Sequence, residues 1–217
     1  MRYAERIKTV LTSAEQKLFA RLNSPVKIQN FLDTLPINFE TRGETYYSPR
    51  RMLREKKAHC MEGALFAAAV LAYHGGKPLL LDLQTIAPDD DHVVALFREG
   101  SRWGAISKTN HAILRFRDPV YASVRELAMS YFHEYFLESN GKKTLHAYSA
   151  PFDLSRYAPE EWVTAEHDLH DIAGELDWSR HFPIASKKVL RTARPAAKIE
   201  RKAIGFTEWD KRGRRLL

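Results

Sequence analysis

The feature that most restricts the fold of this chain is an almost uninterrupted apolar segment over residues 60–76, CMEGALFAAAVLAYHGG. A segment that is apolar on nearly every side at helical periodicity is typical of a helix surrounded by protein. Gly75 and Gly76 stand where helices usually end. The longest apolar run, 64–73, is far shorter than the about 20 residues that cross a membrane. We therefore predict a buried central helix and no transmembrane segment.

The residues around this helix predict separate groups of helices and strands. The predicted helices are 3–22, 25–35, 50–57, 60–76, 122–137 and 159–173. The predicted strands are 78–83, 92–97, 103–107, 111–116 and 145–148. A turn at 99–101 joins the second and third strands into an antiparallel hairpin. Strands that follow one another, rather than alternating with helices, favour an α+β fold over a doubly wound parallel sheet.

Charge divides the chain into two parts. Residues 186–217 hold eleven Lys or Arg and three acidic residues, a net charge of +8, whereas residues 1–185 have a net charge of −1. We predict one α+β domain over 1–185 and a flexible basic tail over 186–217. A basic tail is suited to weak contact with an acidic partner or nucleic acid, although solvated basic termini are also common.

The N-terminus and the cysteine content indicate the compartment. The first sixteen residues, MRYAERIKTVLTSAEQ, alternate charged and apolar residues and contain no continuous hydrophobic region of a signal peptide. The single cysteine, Cys60, excludes an internal disulfide and fits a reducing environment. These features together predict a cytoplasmic protein.

Cys60 is the strongest candidate for chemistry, because it begins the apolar helix. The unpaired backbone N–H groups and positive dipole end of a helix N-terminus favour a thiolate, which is the reactive form of cysteine. A cysteine nucleophile also needs a base, and we assign His92 at the start of the second strand. Ser107, on the returning strand of the hairpin, and Asn110, just beyond it, are the candidates to orient the imidazole.

Three segments, AHCMEGALFAAAVLAYHGG, DDDHVVALF and RWGAIS, resemble the transglutaminase-like superfamily, which shares the papain-like cysteine-enzyme fold. The resemblance covers about residues 36–120. It implies that Cys60 attacks an amide carbonyl and that His92 transfers protons. In that family a carboxylate follows the hairpin tryptophan, here Trp103, to hold the histidine, but this chain has Ser107 there. We assign Trp103 to substrate binding. The resemblance also implies that a buried Cys-bearing helix packs on a small antiparallel sheet with flanking helices.

Two functions stay open at this stage. The first is an amide hydrolase or acyl transferase of the protease or amidase type, which acts on a peptide or amide-containing substrate and needs no cofactor. The second is a catalytically inactive binding module of the same fold, suggested by the missing aspartate at position 107. A His-rich cluster, 166–171, has none of the usual zinc-binding spacings, so we interpret it as a polar helix face and predict no metal site.

Overall fold

The computed structural model describes residues 2–41 and 43–217, which form helices around one antiparallel sheet. The strands are β1 (Leu79–Gln84), β2 (His92–Glu99), β3 (Arg102–Ile106), β4 (Arg117–Tyr121), β5 (Ala147–Ser149), β6 (Phe152–Asp153) and β7 (His181–Pro183). Their order is β4-β3-β2-β1-β5-β7, and β6 pairs with β1. The predicted α+β class is confirmed at this level.

The helices lie before, between and after the strands. They are α1 (Tyr3–Val10), α2 (Ser13–Arg21), α3 (Pro25–Asp33), α4 (Pro49–Glu55), α5 (Cys60–Tyr73), α6 (Val124–Tyr131), α7 (Pro159–Trp162), α8 (His170–Asp177), α9 (Lys187–Thr192) and α10 (Lys198–Ile204), with a 3-10 turn at Leu154–Arg156. None of the helices in the described residues is long and apolar enough to cross a membrane.

The sheet is buried on both faces, because its side chains alternate between two hydrophobic clusters. Leu80, Val93 and Ala95 point toward the cluster that surrounds α5. Leu81 and Val94 point toward the cluster that contains the apolar side of α6. This alternation follows from the two-residue period of a strand. It explains why β1 and β2 are apolar at nearly every position. α5 is apolar all round because α1, α2, α3 and α4 pack against it as well as the sheet.

Four predicted elements differ from the structure, and one of them, the helix predicted at 122–137, ends at Tyr131. The helix predicted at 3–22 is two helices, because Thr12 and Glu15 form a capping box that starts α2. The helix predicted at 159–173 is interrupted between α7 and α8, where Val163, Ala165, Asp168 and Leu169 hydrogen-bond to residues 46–50. The predicted strand 111–116 lies outside the sheet, and its place beside β3 is taken by β4.

The basic segment 186–217 lies against the rest of the protein, where we expected a flexible tail. Its anchor is Trp209, which is 8% exposed. The backbone of Trp209 donates to Asn110 Oδ1 at 2.8 Å, and its carbonyl accepts from Asn110 Nδ2 at 3.0 Å. Closer to the start of the segment, the Ala196 N–H donates to the Gly141 carbonyl at 2.8 Å. These contacts hold the segment on the protein in this structure, whereas the flexibility of the tail and the domain boundary at 185 stay predictions.

Gly63 sets the distance between α5 and the segment that follows β3. A Cβ at Gly63 would lie 2.5 Å from the Cβ of Lys108, a side chain that is 1% exposed. The Lys108 ammonium donates to the Leu32 carbonyl at 2.9 Å, so the lysine is held at both ends and has little freedom to move aside.

We therefore expect Gly63→Ala to lower the free energy of unfolding by about 1–3 kcal/mol through overpacking. Urea denaturation measures this change. Gly174→Ala in α8 is the matched control, because a Cβ there meets nothing within 4 Å. The control should be neutral or stabilise the protein by up to about 1 kcal/mol. Equal stability of the two variants would contradict the packing argument.

Candidate active site

Cys60 is the first residue of α5, and the residue as a whole is partly buried. The preceding residue, His59, is the N-cap. His59 Nδ1 accepts from the Met61 N–H at 3.2 Å, and its Nε2 lies 2.7 Å from the Thr45 carbonyl oxygen, to which it must donate. Both ring nitrogens of His59 are therefore engaged by the backbone in the capping arrangement. The backbone N–H of Cys60 itself has no hydrogen-bond partner among the described residues.

Glu62 connects the start of α5 to the loop that precedes it. Its carboxylate is fully buried and accepts hydrogen bonds from Asn38 Nδ2, Thr45 Oγ1 and the backbone N–H groups of Tyr47 and His59, at 3.0–3.2 Å. Burial raises the pKa of this carboxyl, while the donors around it oppose that rise. Asn38, Thr45 and Tyr47 are thereby fixed against the helix end that carries Cys60.

His92 and Ser107 form the hydrogen bond that the sequence predicted. His92 Nε2 and Ser107 Oγ are 2.8 Å apart, and both residues are buried. The Ser107 hydroxyl donates its only proton to the Leu114 carbonyl at 2.6 Å. Ser107 must therefore accept from His92, which places the proton of the neutral ring on Nε2. The ring nitrogen left without a proton is Nδ1, which can accept one.

Two imidazoles act on the thiol of Cys60. Burial alone would raise its pKa, but the nearby imidazoles of His59 and His92, and the positive charge that they carry when protonated, hold that pKa well below the ordinary value. Burial also lowers the pKa of His59, yet Cys60 and Glu62 raise it overall to about 9. Both rings therefore favour the thiolate form of Cys60, which is the reactive form, and the bond from Met61 to His59 Nδ1 is made while the His59 ring is neutral.

Gln29 and Leu114 hold Ser107 in place. The Gln29 side chain, on α3, bonds both the carbonyl and the N–H of Ser107, at 2.8 and 3.0 Å. Leu114 has a left-handed backbone with φ 61°, which is unusual for a branched residue. The carboxylate of Glu134 accepts from the Leu114 N–H at 2.7 Å and so supports this conformation. Sequence reasoning missed both Gln29 and Leu114, because neither belongs to a recognisable motif.

Further polar groups near Cys60 were also missed. Asp82 lies on β1 beside Leu83, the residue that pairs with His92 across the sheet. Its Oδ2 is 3.0 Å from His181 Nε2, while Oδ1 is buried and without a partner in the described residues. The hydroxyl of Tyr135 is likewise buried and unpartnered, and burial and the charge of Cys60 hold its pKa well above the usual value.

Glu62 could have been found in the sequence. It stands three residues after the N-cap position, as the acidic residue of a capping box does. The signal was obscured because His59, rather than Ser or Thr, is the cap residue.

The structure brings Cys60, His92 and Ser107 together but places Trp103 and Asn110 elsewhere. Trp103 pairs with Arg98, six residues along β2 from His92, which is a distance of about 20 Å. There it lines a surface cleft of about 530 Å³ together with Leu96 and Pro151. The Asn110 amide is occupied by the backbone of Trp209, so Ser107 is the residue that holds the imidazole.

Comparison with known proteins adds no family. No protein-family model matches the chain, and no curated protein is significantly similar to it. Within residues 2–41 and 43–217, no group of three or more His, Cys, Asp or Glu side chains is arranged to hold a metal ion. The class that the fold and the site define is therefore an α+β protein with a thiol and two imidazoles at the N-terminus of its buried helix.

Proposed function

We propose that this chain is a cysteine-dependent amide hydrolase or acyl transferase with a transglutaminase-like, papain-like architecture. The observation that carries the proposal is the hydrogen-bonded chain from His92 Nε2 through the Ser107 hydroxyl to the Leu114 carbonyl, and the effect of His92 on the pKa of the Cys60 thiol supports it. A nucleophile, a base and a group that orients the base are the three parts that nucleophilic catalysis requires. The serine takes the place that a carboxylate or an asparagine holds in related arrangements.

The proposed reaction begins with transfer of the Cys60 proton to His92 Nδ1. The thiolate then attacks the amide carbonyl, forming a carbon–sulfur bond and a tetrahedral oxyanion. His92 returns its proton to the amide nitrogen as the carbon–nitrogen bond breaks, which leaves a thioester on Cys60. Water or an amine then attacks the thioester and gives its proton to His92, and the thiol is restored as the carbon–sulfur bond breaks.

The backbone at the start of α5 supplies the oxyanion site in this proposal. The Cys60 N–H is unpaired in the described part of the chain and lies at the positive end of the helix. A preorganised donor of this kind typically contributes about 2.7–4 kcal/mol to transition-state stabilisation. The Met61 N–H does not contribute, because it is bonded to His59.

The pH dependence of iodoacetamide alkylation at Cys60 tests the proposal, and the signal has one source because the chain has one cysteine. Rapid alkylation near pH 6 would support an activated thiolate, since an ordinary thiol has a pKa of about 8.5. An ordinary profile would remove the basis for catalysis. Peptide libraries incubated with the wild-type protein and with Cys60→Ala then identify the amide substrate.

A second candidate function, binding to nucleic acid, is supported by the exposed basic side chains of α9 and α10. Five of them make no ion pair with any described carboxylate. They are Lys187, Lys188, Arg191, Lys198 and Lys202. Because the segment is folded against the protein, these charges form a surface rather than a free tail. Binding of nucleic acid to this surface requires no catalytic step.

We expect this surface to bind duplex DNA with a strong dependence on salt. Five phosphate contacts predict a slope of log K against log salt of about −4.5. The triple variant Lys187→Gln, Lys188→Gln and Arg191→Gln should reduce that slope to about −2, whereas neutralising three exposed basic residues elsewhere, Lys17, Arg21 and Arg102, should leave it unchanged. Fluorescence anisotropy at several salt concentrations gives the slope. Equal effects of the two triple variants would reject a defined surface.

A further inference from the structure

Gln29 joins two parts of the chain that are 78 residues apart at the point where His92 is held. Its Nε2 donates to the Ser107 carbonyl at 2.8 Å, and its Oε1 accepts from the Ser107 N–H at 3.0 Å. The glutamine is 7% exposed and Ser107 is 1% exposed, so water does not replace these bonds readily. Ser107 follows the last residue of β3. The Gln29 side chain supplies the backbone hydrogen bonds that a neighbouring strand would otherwise provide.

The orientation of the Gln29 amide is determined by its partners. The second Nε2 proton goes to Asp33 Oδ1 at 2.9 Å. A flipped amide would place Oε1 against two acceptors, the Ser107 carbonyl and the Asp33 carboxylate, and would place Nε2 against the Ser107 N–H. All the strong hydrogen bonds of this side chain are therefore made within the protein, which leaves it to act on Ser107 rather than on a substrate.

The direction of the Ser107 hydroxyl proton follows from two constraints. Gln29 fixes the backbone of Ser107. Leu114 has a left-handed backbone conformation, and its carbonyl accepts the hydroxyl proton of Ser107 at 2.6 Å. Only a lone pair of Ser107 Oγ is then available to His92 Nε2 at 2.8 Å. A freely rotating serine would accept from or donate to the imidazole with similar ease, and the ring would lose its defined tautomer.

We propose that Gln29 is a positioning residue for His92, and that it acts through Ser107 by making a serine hydroxyl a fixed hydrogen-bond acceptor. This proposal rests on the proposed function, in which His92 is the base for Cys60. It explains how the site retains an oriented imidazole although no carboxylate stands at position 107. It also predicts that Ser107→Asp fails to improve the site, since one carboxylate oxygen would face the Leu114 carbonyl.

Iodoacetamide alkylation of Cys60 tests this role through the ratio of the rate at pH 6 to the rate at pH 9. The ratio reports ionisation of the thiol, because a change in access alters both rates alike. We expect Gln29→Leu to lower the ratio roughly 10- to 100-fold, as a misplaced catalytic group does. In a Ser107→Ala background the same substitution should change the ratio by about twofold or less, because the route through Ser107 is already lost.

Gln16→Leu is the matched control. Like Gln29, Gln16 is a helix residue whose side chain hydrogen-bonds to backbone groups. It lies in α2, donates to the carbonyls of Lys8 and Leu11, and has no hydrogen bond to a site residue. It should leave the ratio unchanged. If Gln29→Leu does not fold, Gln29→Asn removes the same bonds by drawing the amide back by one methylene group, and the same loss is expected.

The outcomes separate this inference from the proposed function. A wild-type ratio no higher than that of an ordinary thiol overturns the Cys60–His92 pair itself. A high wild-type ratio that falls in His92→Ala but is retained in folded Gln29→Leu overturns only the role of Gln29. Additive losses in Gln29→Leu and Ser107→Ala would also overturn it, since Gln29 would then act by another route.

Discussion

Replacing His92 with alanine is expected to slow alkylation of Cys60 at pH 6 by roughly 10- to 100-fold. The physical reason is the loss of the nearby imidazole, whose charge when protonated helps to hold the pKa of Cys60 well below the ordinary value. An unassisted thiol with a pKa of about 8.5 is less than about 1% ionised at pH 6. The gain from ionisation is partly offset because a thiolate of lower pKa is a weaker nucleophile.

The control for this prediction is His59→Asn, because His59 is the other imidazole beside Cys60. Asparagine is among the best N-cap residues, so the start of α5 is preserved. His59 cannot take the thiol proton at Nδ1 without giving up the hydrogen bond from the Met61 N–H. His92 Nδ1 carries no such bond in the described part of the chain. If rapid alkylation of Cys60 at pH 6 is retained in His92→Ala but lost in His59→Asn, the base is His59 rather than His92.

Glu62→Ala is expected to lower the free energy of unfolding by about 3–5 kcal/mol. The carboxylate is fully buried and accepts from four groups, of Asn38, Thr45, Tyr47 and His59. Its loss leaves the backbone N–H groups of Tyr47 and His59 without a partner, whereas Asn38 keeps its hydrogen bond to Thr45 at 2.7 Å. An unpaired buried donor costs about 1–3 kcal/mol. Burial raises the pKa of Glu62, so the ionised form is held at some cost, but that cost does not reduce the penalty of leaving its donors unpaired.

Urea denaturation of Glu62→Ala measures this loss, with Glu55→Ala as the matched control. Glu55 ends α4 and is exposed, with a long ion-pair distance of 3.6 Å to Arg54. Its replacement should change stability by less than about 0.5 kcal/mol. Because Glu62 also fixes Thr45 and Tyr47, proteolysis at residues 45–47 should accelerate only in Glu62→Ala. A loss below about 1 kcal/mol would show that the donors find other partners.

The helices and strands that carry the site were largely predictable, because each has a strong local pattern. The apolar segment after Cys60 predicted α5, and HVVALF followed by a turn predicted the β2–β3 hairpin that sets His92 against Ser107. Errors occurred where local patterns were ambiguous. The single long helix predicted before residue 22 ignored the capping box at Thr12 and Glu15. The flexible tail, which stays a prediction, was based on charge, and charge does not reveal that Trp209 is bound by Asn110.

The sequence by itself determined the buried helix, its N-terminal cysteine, the antiparallel hairpin and the segregation of helices from strands, since these depend on periodicity and on neighbours in the chain. Only the tertiary structure decided which groups meet Cys60 and His92. Gln29 is 78 residues from Ser107 in sequence, and Asp82 and His181 are 99 residues apart. A polar side chain such as Gln29 carries no sequence signal for a buried role, because its partners are backbone groups whose position depends on the packing of the whole sheet.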